Sequence, residues 1–222
     1  RRSEVTVRGT FTALTEDRGY DPVQLQRFLE IVDRAKRAGI ELGSLHAAAS
    51  NGVFHFPESH LDLVRPGIAI FGAYPSVPDE ERELAPLKAG VRFCAKVVRV
   101  AHLEEGESVS YGRAWVADRP TWIATLPVGH ADGYPREAVN GGEVYIHGSP
   151  FPVIGAVSAS HTIVRLGDGP SAKVGDVATL MGPDHPAIKP NGLADTLGVS
   201  VYDILMHLNP SLPRTMVDRE TG

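Results

Sequence analysis

The chain has 222 residues, 42% hydrophobic and 22% charged, which suits one large soluble domain or two modest ones. Its 22 Lys and Arg against 27 Asp and Glu leave a formal charge of -5, so no basic field exists to hold a nucleic acid or an anionic membrane. Cys94 is the single cysteine, which excludes an internal disulfide and a cysteine-based zinc cage, and fits a reducing, cytoplasmic setting. No apolar run reaches the roughly 18–20 residues of a membrane span. Arg1 to Val7 carry neither a signal-peptide core nor an initiator Met, so the chain is expected to begin inside a longer protein.

Residues 5–14 are rich in β-branched side chains and predict a strand with its exit loop. A helix follows, with Asp21 as its cap, Pro22 in its first turn, an apolar stripe at Leu25, Phe28, Leu29, Val32 and Ala35, and Gly39 as its stop. The apolar part of 40–49 is expected in a sheet, with a short helix at about 57–64. The continuous apolar run Ile68 to Phe71 reads as a buried strand. The order β-α-β-α-β favours parallel strands, yet it supplies only part of the eight that a (β/α)8 barrel needs. Residues 1–76 are therefore read as the C-terminal part of such a barrel.

Residues 77–88 fall in a proline-rich, acidic stretch that predicts a solvated linker. Residues 89–222 then change character. Short β-rich runs at 91–103, 109–116, 122–128, 143–147, 151–166 and 174–181 alternate with turn material such as NGG and GDGP. That spacing predicts a mainly antiparallel β domain. Ser200-Val201-Tyr202-Asp203 has capping-box form and opens a terminal helix to about Leu208, with Ile204, Leu205 and Leu208 as its apolar face. The fold class is thus α/β plus all-β.

The chain has no Walker loop, no G-x-G-x-x-G and no nucleophile elbow. His55 and His60 are five apart, a spacing that neither a helix face nor a strand face enforces, so no metal site is expected. More informative are 45–52 (LHAAASNG) and 64–72 (VRPGIAIFG), which put small and polar loops beside expected parallel strands, where such folds gather ligands. Ser50 and the amides of Gly67 and Ile68 suit a phosphate, although Arg-Pro-Gly is also ordinary turn chemistry. In the β half, VSYG at 109–112 and GHADGYPR at 129–136 stand out. Tyr111 reads either as a strand aromatic or as an acid/base, the latter requiring a neighbour that tunes its phenol.

In this order, H-A-A-x-S, V-R-P-G-I, V-S-Y-G, G-x-A-D-G-Y-P-R and a Tyr on a terminal helix ahead of Leu212-Pro213-Arg214 resemble the alanine racemase family, fold-type III pyridoxal phosphate enzymes, over nearly the whole chain. The resemblance implies interconversion of L- and D-alanine by a homodimer with a site shared between subunits. It implies that Ser50, Gly67, Ile68 and Tyr202 hold the phosphate of pyridoxal 5'-phosphate, that Arg65 faces its ring nitrogen and that His46 supports Arg65. Tyr111 becomes the base on one face of the α-carbon, supplied from the partner, with His130, Tyr134 and Arg136 on the substrate side. The Schiff-base lysine of the family lies ahead of the region aligned here. Lys36, Lys88, Lys96, Lys173 and Lys189 do not match it.

The chain also departs from the family pattern. Thr12-Ala13 stands in place of a Thr-His pair, Ala49 in place of an asparagine, and His130 in place of a tyrosine. Ala156, Ser158, Ala159 and Ser160 replace part of a G-R-V-C-M-D segment, which enlarges and neutralises the substrate pocket. The cofactor clamp is kept better than the substrate surface, so the choice of amino acid stays open. The alternative is a divergent paralogue that binds pyridoxal phosphate without racemising. A lyase or dehydratase on the same fold would more naturally bring zinc ligands near the C-terminus.

Overall fold

The computed structural model of the chain describes residues 5–76 and 78–217. Residues 1–4, Val77 at the head of the expected linker, and 218–222 lie outside the described residues. The chain divides into two compact units, Arg1–Lys88 and Ala89–Gly222.

In the first unit β1 (Gly9–Phe11) and β2 (Ser44–His46) pair in parallel, with Phe11 beside His46, and α1 (Asp21–Arg37) forms the crossover. Leu25, Phe28 and Val32 of α1 are buried with Ala47, and Leu14, Leu42, Leu45, Phe56 and Leu61 pack around them. Leu29 is exposed, so the buried stripe is narrower than its spacing suggests. Asp21 is not the cap; Tyr20 takes that position without a side-chain bond. The buried Asp21 carboxylate instead accepts from the amide and hydroxyl of Thr15. Two donors from the strand-exit loop outcompete a capping role.

The helix expected at 57–64 is displaced. Here α2 (Ser50–His55) comes first, and Pro57–Ser59 makes a single 3-10 turn. Ser-Asn-Gly is poor helix material, but a helix forms because Ala49 is extended and α2 buries Ser50, Asn51, Gly52 and Phe54. Ile68–Phe71 is not a strand. It is a 3-10 turn ended by left-handed Gly72 (φ 77), with Ile68 buried and Ile70 and Phe71 exposed. One parallel bridge, Ala49 to Arg65, stands where a third strand was expected. Within 77–88 the backbone forms α3 (Pro78–Leu84).

The second unit comprises β3 (Phe93–Lys96), β4 (Arg99–Leu103), β5 (Ser108–Val109), β6 (Trp115–Val116), β7 (Thr121–Leu126), β8 (Glu143–Ile146), β9 (Ser149–Ile154), β10 (Thr162–Gly167) and β11 (Val177–Met181). Seven of them form one antiparallel sheet in the order β3-β11-β8-β9-β10-β7-β4, and β5 pairs with β6. On β10, Thr162, Val164 and Leu166 are buried while Ile163 and Arg165 are less so, the period of two of a half-buried strand. Two helices follow. α4 (Pro190–Leu197), which the strand-by-strand reading did not anticipate, starts on proline, stops at left-handed Gly198 and buries Leu193, Ala194 and Leu197. α5 (Val201–Met206) is capped by Ser200, whose hydroxyl accepts from the Tyr202 amide, and it buries Ile204 and Leu205. No helix among the described residues is long and apolar enough to cross a membrane.

Candidate active site

In the first unit the polar residues gather beyond the carboxyl ends of β1 and β2. The Arg65 guanidinium donates to His46 Nδ1 at 2.6 Å, to the Thr12 carbonyl at 3.1 Å and to the Ala47 carbonyl at 3.2 Å. Because guanidinium only donates, His46 Nδ1 must present its lone pair, which puts the imidazole proton on Nε2. Phe11, which motif reading passed over, completes the group. Its ring stacks on His46 at 5.3 Å and 13°, and the guanidinium carbon lies 5.0 Å from its centroid. An aromatic at the last position of a strand was the available signal.

Ser50 is 2% exposed, and its Oγ accepts from the amides of Gly67 at 3.0 Å and Ala69 at 3.3 Å. With both donors supplied to the oxygen, the hydroxyl proton is left to point elsewhere. Ile68, between those amides, has its side chain sealed inside. A Cβ added at Gly67 would meet only open space, so the backbone there faces a vacant approach.

The far end of α2 is anchored by a buried polar cluster. His55 Nε2 lies 2.8 Å from Glu81 Oε1, with both side chains nearly or fully buried. Ser76 donates its hydroxyl and amide to the same carboxylate, and Asn51 donates to Ser76 Oγ at 3.1 Å. Arg18 approaches His55 Nδ1 at 3.1 Å. Glu81 therefore departs from the solvated reading of the acidic stretch. Burial first, then the charges of Asp21 and Glu81, raise the Glu16 carboxyl above its ordinary value.

In the second unit Tyr111 is 87% exposed, at the head of a 3-10 turn. It is flanked by backbone that L side chains avoid: Ser110 at φ 67, Gly112 at φ 64 and Arg113 at φ 56. Ser110 Oγ accepts from the Ala156 amide at 3.1 Å, and a Cβ at Gly155 would collide with that hydroxyl. Nearby segments are laced together by main chain. His130 and Ala131 donate amides to the carbonyls of Ser158 and Ala159, and Asn209, just past α5, bonds to the carbonyls of Ala131 and Asp132. His130 accepts from Arg136 at 2.8 Å. The unit thus joins the Tyr111 turn, the 155–161 loop, the 129–136 turn and the end of the Tyr202 helix into one framework.

Tyr134 does not share that surface. It is 1% exposed, edge-on to Phe93, and its phenol has no partner among the described residues. Burial pushes its ionisation far above the usual tyrosine range. Among the described residues no group of three or more His, Cys, Asp or Glu is placed to hold a metal ion.

A parallel β-α-β unit with a cationic and hydroxyl-bearing mouth, followed by an antiparallel β unit that displays a tyrosine, defines a two-part α/β and all-β architecture. The alanine racemase N-terminal domain family matches residues 2–75 and the alanine racemase C-terminal domain family matches residues 91–216, so the chain belongs to the alanine racemase family. It is 37% identical to an alanine racemase of Carboxydothermus hydrogenoformans over 203 residues, 91% of this chain and 55% of that protein. It is 34% identical to that of Chlorobaculum tepidum over 94% of this chain and 54% of the relative. Among solved structures, alanine racemase of Streptomyces lavendulae superposes with a TM-score of 0.85 at 29% identity, covering 96% of this chain and 57% of the other. Alanine racemase of Clostridium difficile 630, in complex with cycloserine, gives 0.83 at 27%, covering 93% and 55%. The chain thus spans about half the length of these relatives. The likeness identifies the fold as the C-terminal part of a (β/α)8 barrel followed by a mainly antiparallel β domain.

Proposed function

We propose that this chain is the C-terminal part of a cytoplasmic, homodimeric, pyridoxal-phosphate-dependent amino-acid racemase. The observation that carries the reading is the Arg65, His46 and Ser50 group at the mouth of two parallel strands, within a chain that belongs to the alanine racemase family. The donor set suits the cofactor. Ser50 has a hydroxyl proton to spare beside the open backbone at Gly67, which fits a phosphate. Arg65 is held by three acceptors, and a guanidinium, which donates hydrogen bonds without surrendering its proton, suits a ring nitrogen that is to stay unprotonated. When bound, pyridoxal phosphate supplies an electron sink that acidifies the α-proton of an amino acid.

The chain's own residues then divide the work. Ser50, beside the open backbone at Gly67 and Ile68, binds the phosphate. His46 orients Arg65. Tyr111, acting on the partner subunit's substrate, takes or returns the α-proton on one face, while His130 and Arg136 bind on the substrate side. Tyr134 supports the second unit from inside.

The test uses the full-length protein loaded with pyridoxal phosphate. Tyr111→Phe should keep cofactor absorbance but slow α-proton exchange into deuterated water more from the L-amino acid than from the D-form, by the roughly hundredfold or more typical of a lost acid/base. Equal slowing of both enantiomers would make Tyr111 a positioning residue. Unchanged exchange from both would remove it from the chemistry.

A further inference from the structure

We infer that the hollow beside Tyr111 receives the side chain of an uncharged amino acid longer than alanine; this rests on the racemase reading and names its substrate class. The hollow has a volume of about 390 Å³ and is lined by Ser110, Tyr111, Ala156, Ser158, His161 and Ile163. That volume falls in the roughly 300–1,000 Å³ span of pockets that hold whole small molecules. A single methyl group leaves most of it to water.

The lining specifies the chemistry. It contains no aspartate, glutamate, lysine or arginine to neutralise an ionised side chain, and an unpaired charge is costly to desolvate. The two serine oxygens and His161 Nδ1 around it already have partners. Ser110 Oγ accepts from the Ala156 amide, Ser158 Oγ both donates to the His161 carbonyl and accepts from its amide, and His161 Nδ1 lies 3.0 Å from Ser160 Oγ. The floor is Ile163, packed against the cluster of Leu103, Ala117, Ile123 and Ile154. Beyond the Tyr111 phenol and His161 Nε2 at its margin, apolar contact is what remains to be gained.

The backbone of Tyr111 is held at the edge of this hollow. The positive φ values of Ser110, Gly112 and Arg113 define its turn, and the Arg113 guanidinium bonds to Ser108 Oγ at 3.1 Å and the Gly106 carbonyl at 2.9 Å. An amino acid whose α-carbon meets the phenol therefore has room beside it for several more carbon atoms. Ala156 sets the width, since any larger residue at that position projects into the space.

The experiment measures dissociation constants of L-alanine, L-2-aminobutyrate and L-norvaline for the full-length, pyridoxal-phosphate-loaded protein, from the change in cofactor absorbance, alongside α-proton exchange. Affinity should rise roughly fourfold with each added methylene, and L-glutamate and L-lysine should bind at least tenfold more weakly than L-norvaline. Ala156→Leu should flatten the series to under twofold per methylene. Alanine binding and exchange with no gain, or a loss, along the series would overturn the inference while leaving the racemase reading in place. Absence of any absorbance change or exchange with every amino acid would overturn both.

Discussion

In the first unit, Arg65, His46 and Ser50 are held mostly by hydrogen bonds to backbone atoms and to one another, around strands only three residues long. In the second, Tyr111 stands on a turn tied by Ser110 to a seven-stranded sheet that buries mainly apolar side chains. The contrast separates two ways of placing chemistry. A polar network gives directional control but depends on every member, because each buried group left unmatched costs its full desolvation. An apolar platform tolerates small losses and displays a residue outward.

The sharpest way to break this comparison is to remove the anchor of α2. Glu81 is fully buried, serves His55 and Ser76, and has no apolar substitute nearby. Glu81→Ala should cost about 3–5 kcal/mol locally, the scale for orphaning one member of a buried pair. Peptide-resolved amide exchange should rise over 50–59 and 81–84 and stay unchanged over 121–126. Protection lost equally in both units would mean that they do not open separately.

The converse substitution is Leu126→Ala, at a side chain with no exposure on β7. A cavity there should cost about 3 kcal/mol, spread over the β4, β7 and β10 amides, and leave residues 44–59 protected. Exchange confined to β7 would show that the sheet lacks the cooperativity assigned to it.

These two sites also mark where the sequence was readable. The β-rich run that contains Leu126 and the turn residues between strands are legible in composition, and the motifs bearing Ser50, Arg65 and Tyr111 are contiguous in sequence. Glu81 lies in an acidic run that reads as solvent-exposed, and what buries it is a histidine 26 residues away. Ile68–Phe71 has the composition of a buried strand, but Gly67 and left-handed Gly72 bracket it so closely that only one turn fits. The second helix was hidden for a similar reason: its Ser-Asn-Gly start is unfavourable locally and is compensated by amides that Ser50 gathers from Gly67 and Ala69. Long-range compensation of this kind leaves no local period to detect.

A smaller effect tests whether the second unit relies on polar contacts at its margin. Ser200 caps α5 through the Tyr202 amide. Ser200→Ala should cost about 1 kcal/mol and loosen 201–206 alone, seen as faster exchange there. Spread of that effect to the sheet would tie α5 into its cooperative core.

The smallest effect at neutral pH, and the most diagnostic of an apolar platform, belongs to Tyr134. Its phenol is sealed with no partner among the described residues, and burial raises its ionisation above the ordinary value of about 10. In the unfolded chain the phenol loses its proton near that ordinary value, whereas in the folded chain it stays protonated. Between the two values the folded state binds more protons, so stability falls as pH rises. Tyr134→Phe removes both the orphan hydroxyl and the titration. At pH 7 the urea midpoint should move little, within about 1 kcal/mol and toward greater stability, because an unmatched buried polar group is taken away. Near pH 11 the wild-type chain should have lost about 1.4 kcal/mol relative to the variant, one proton over one pH unit. The other five tyrosines are common to both proteins and cancel. A variant that is several kcal/mol weaker at pH 7 would show that the Tyr134 hydroxyl has a buried partner, and the second unit would then share the polar dependence of the first.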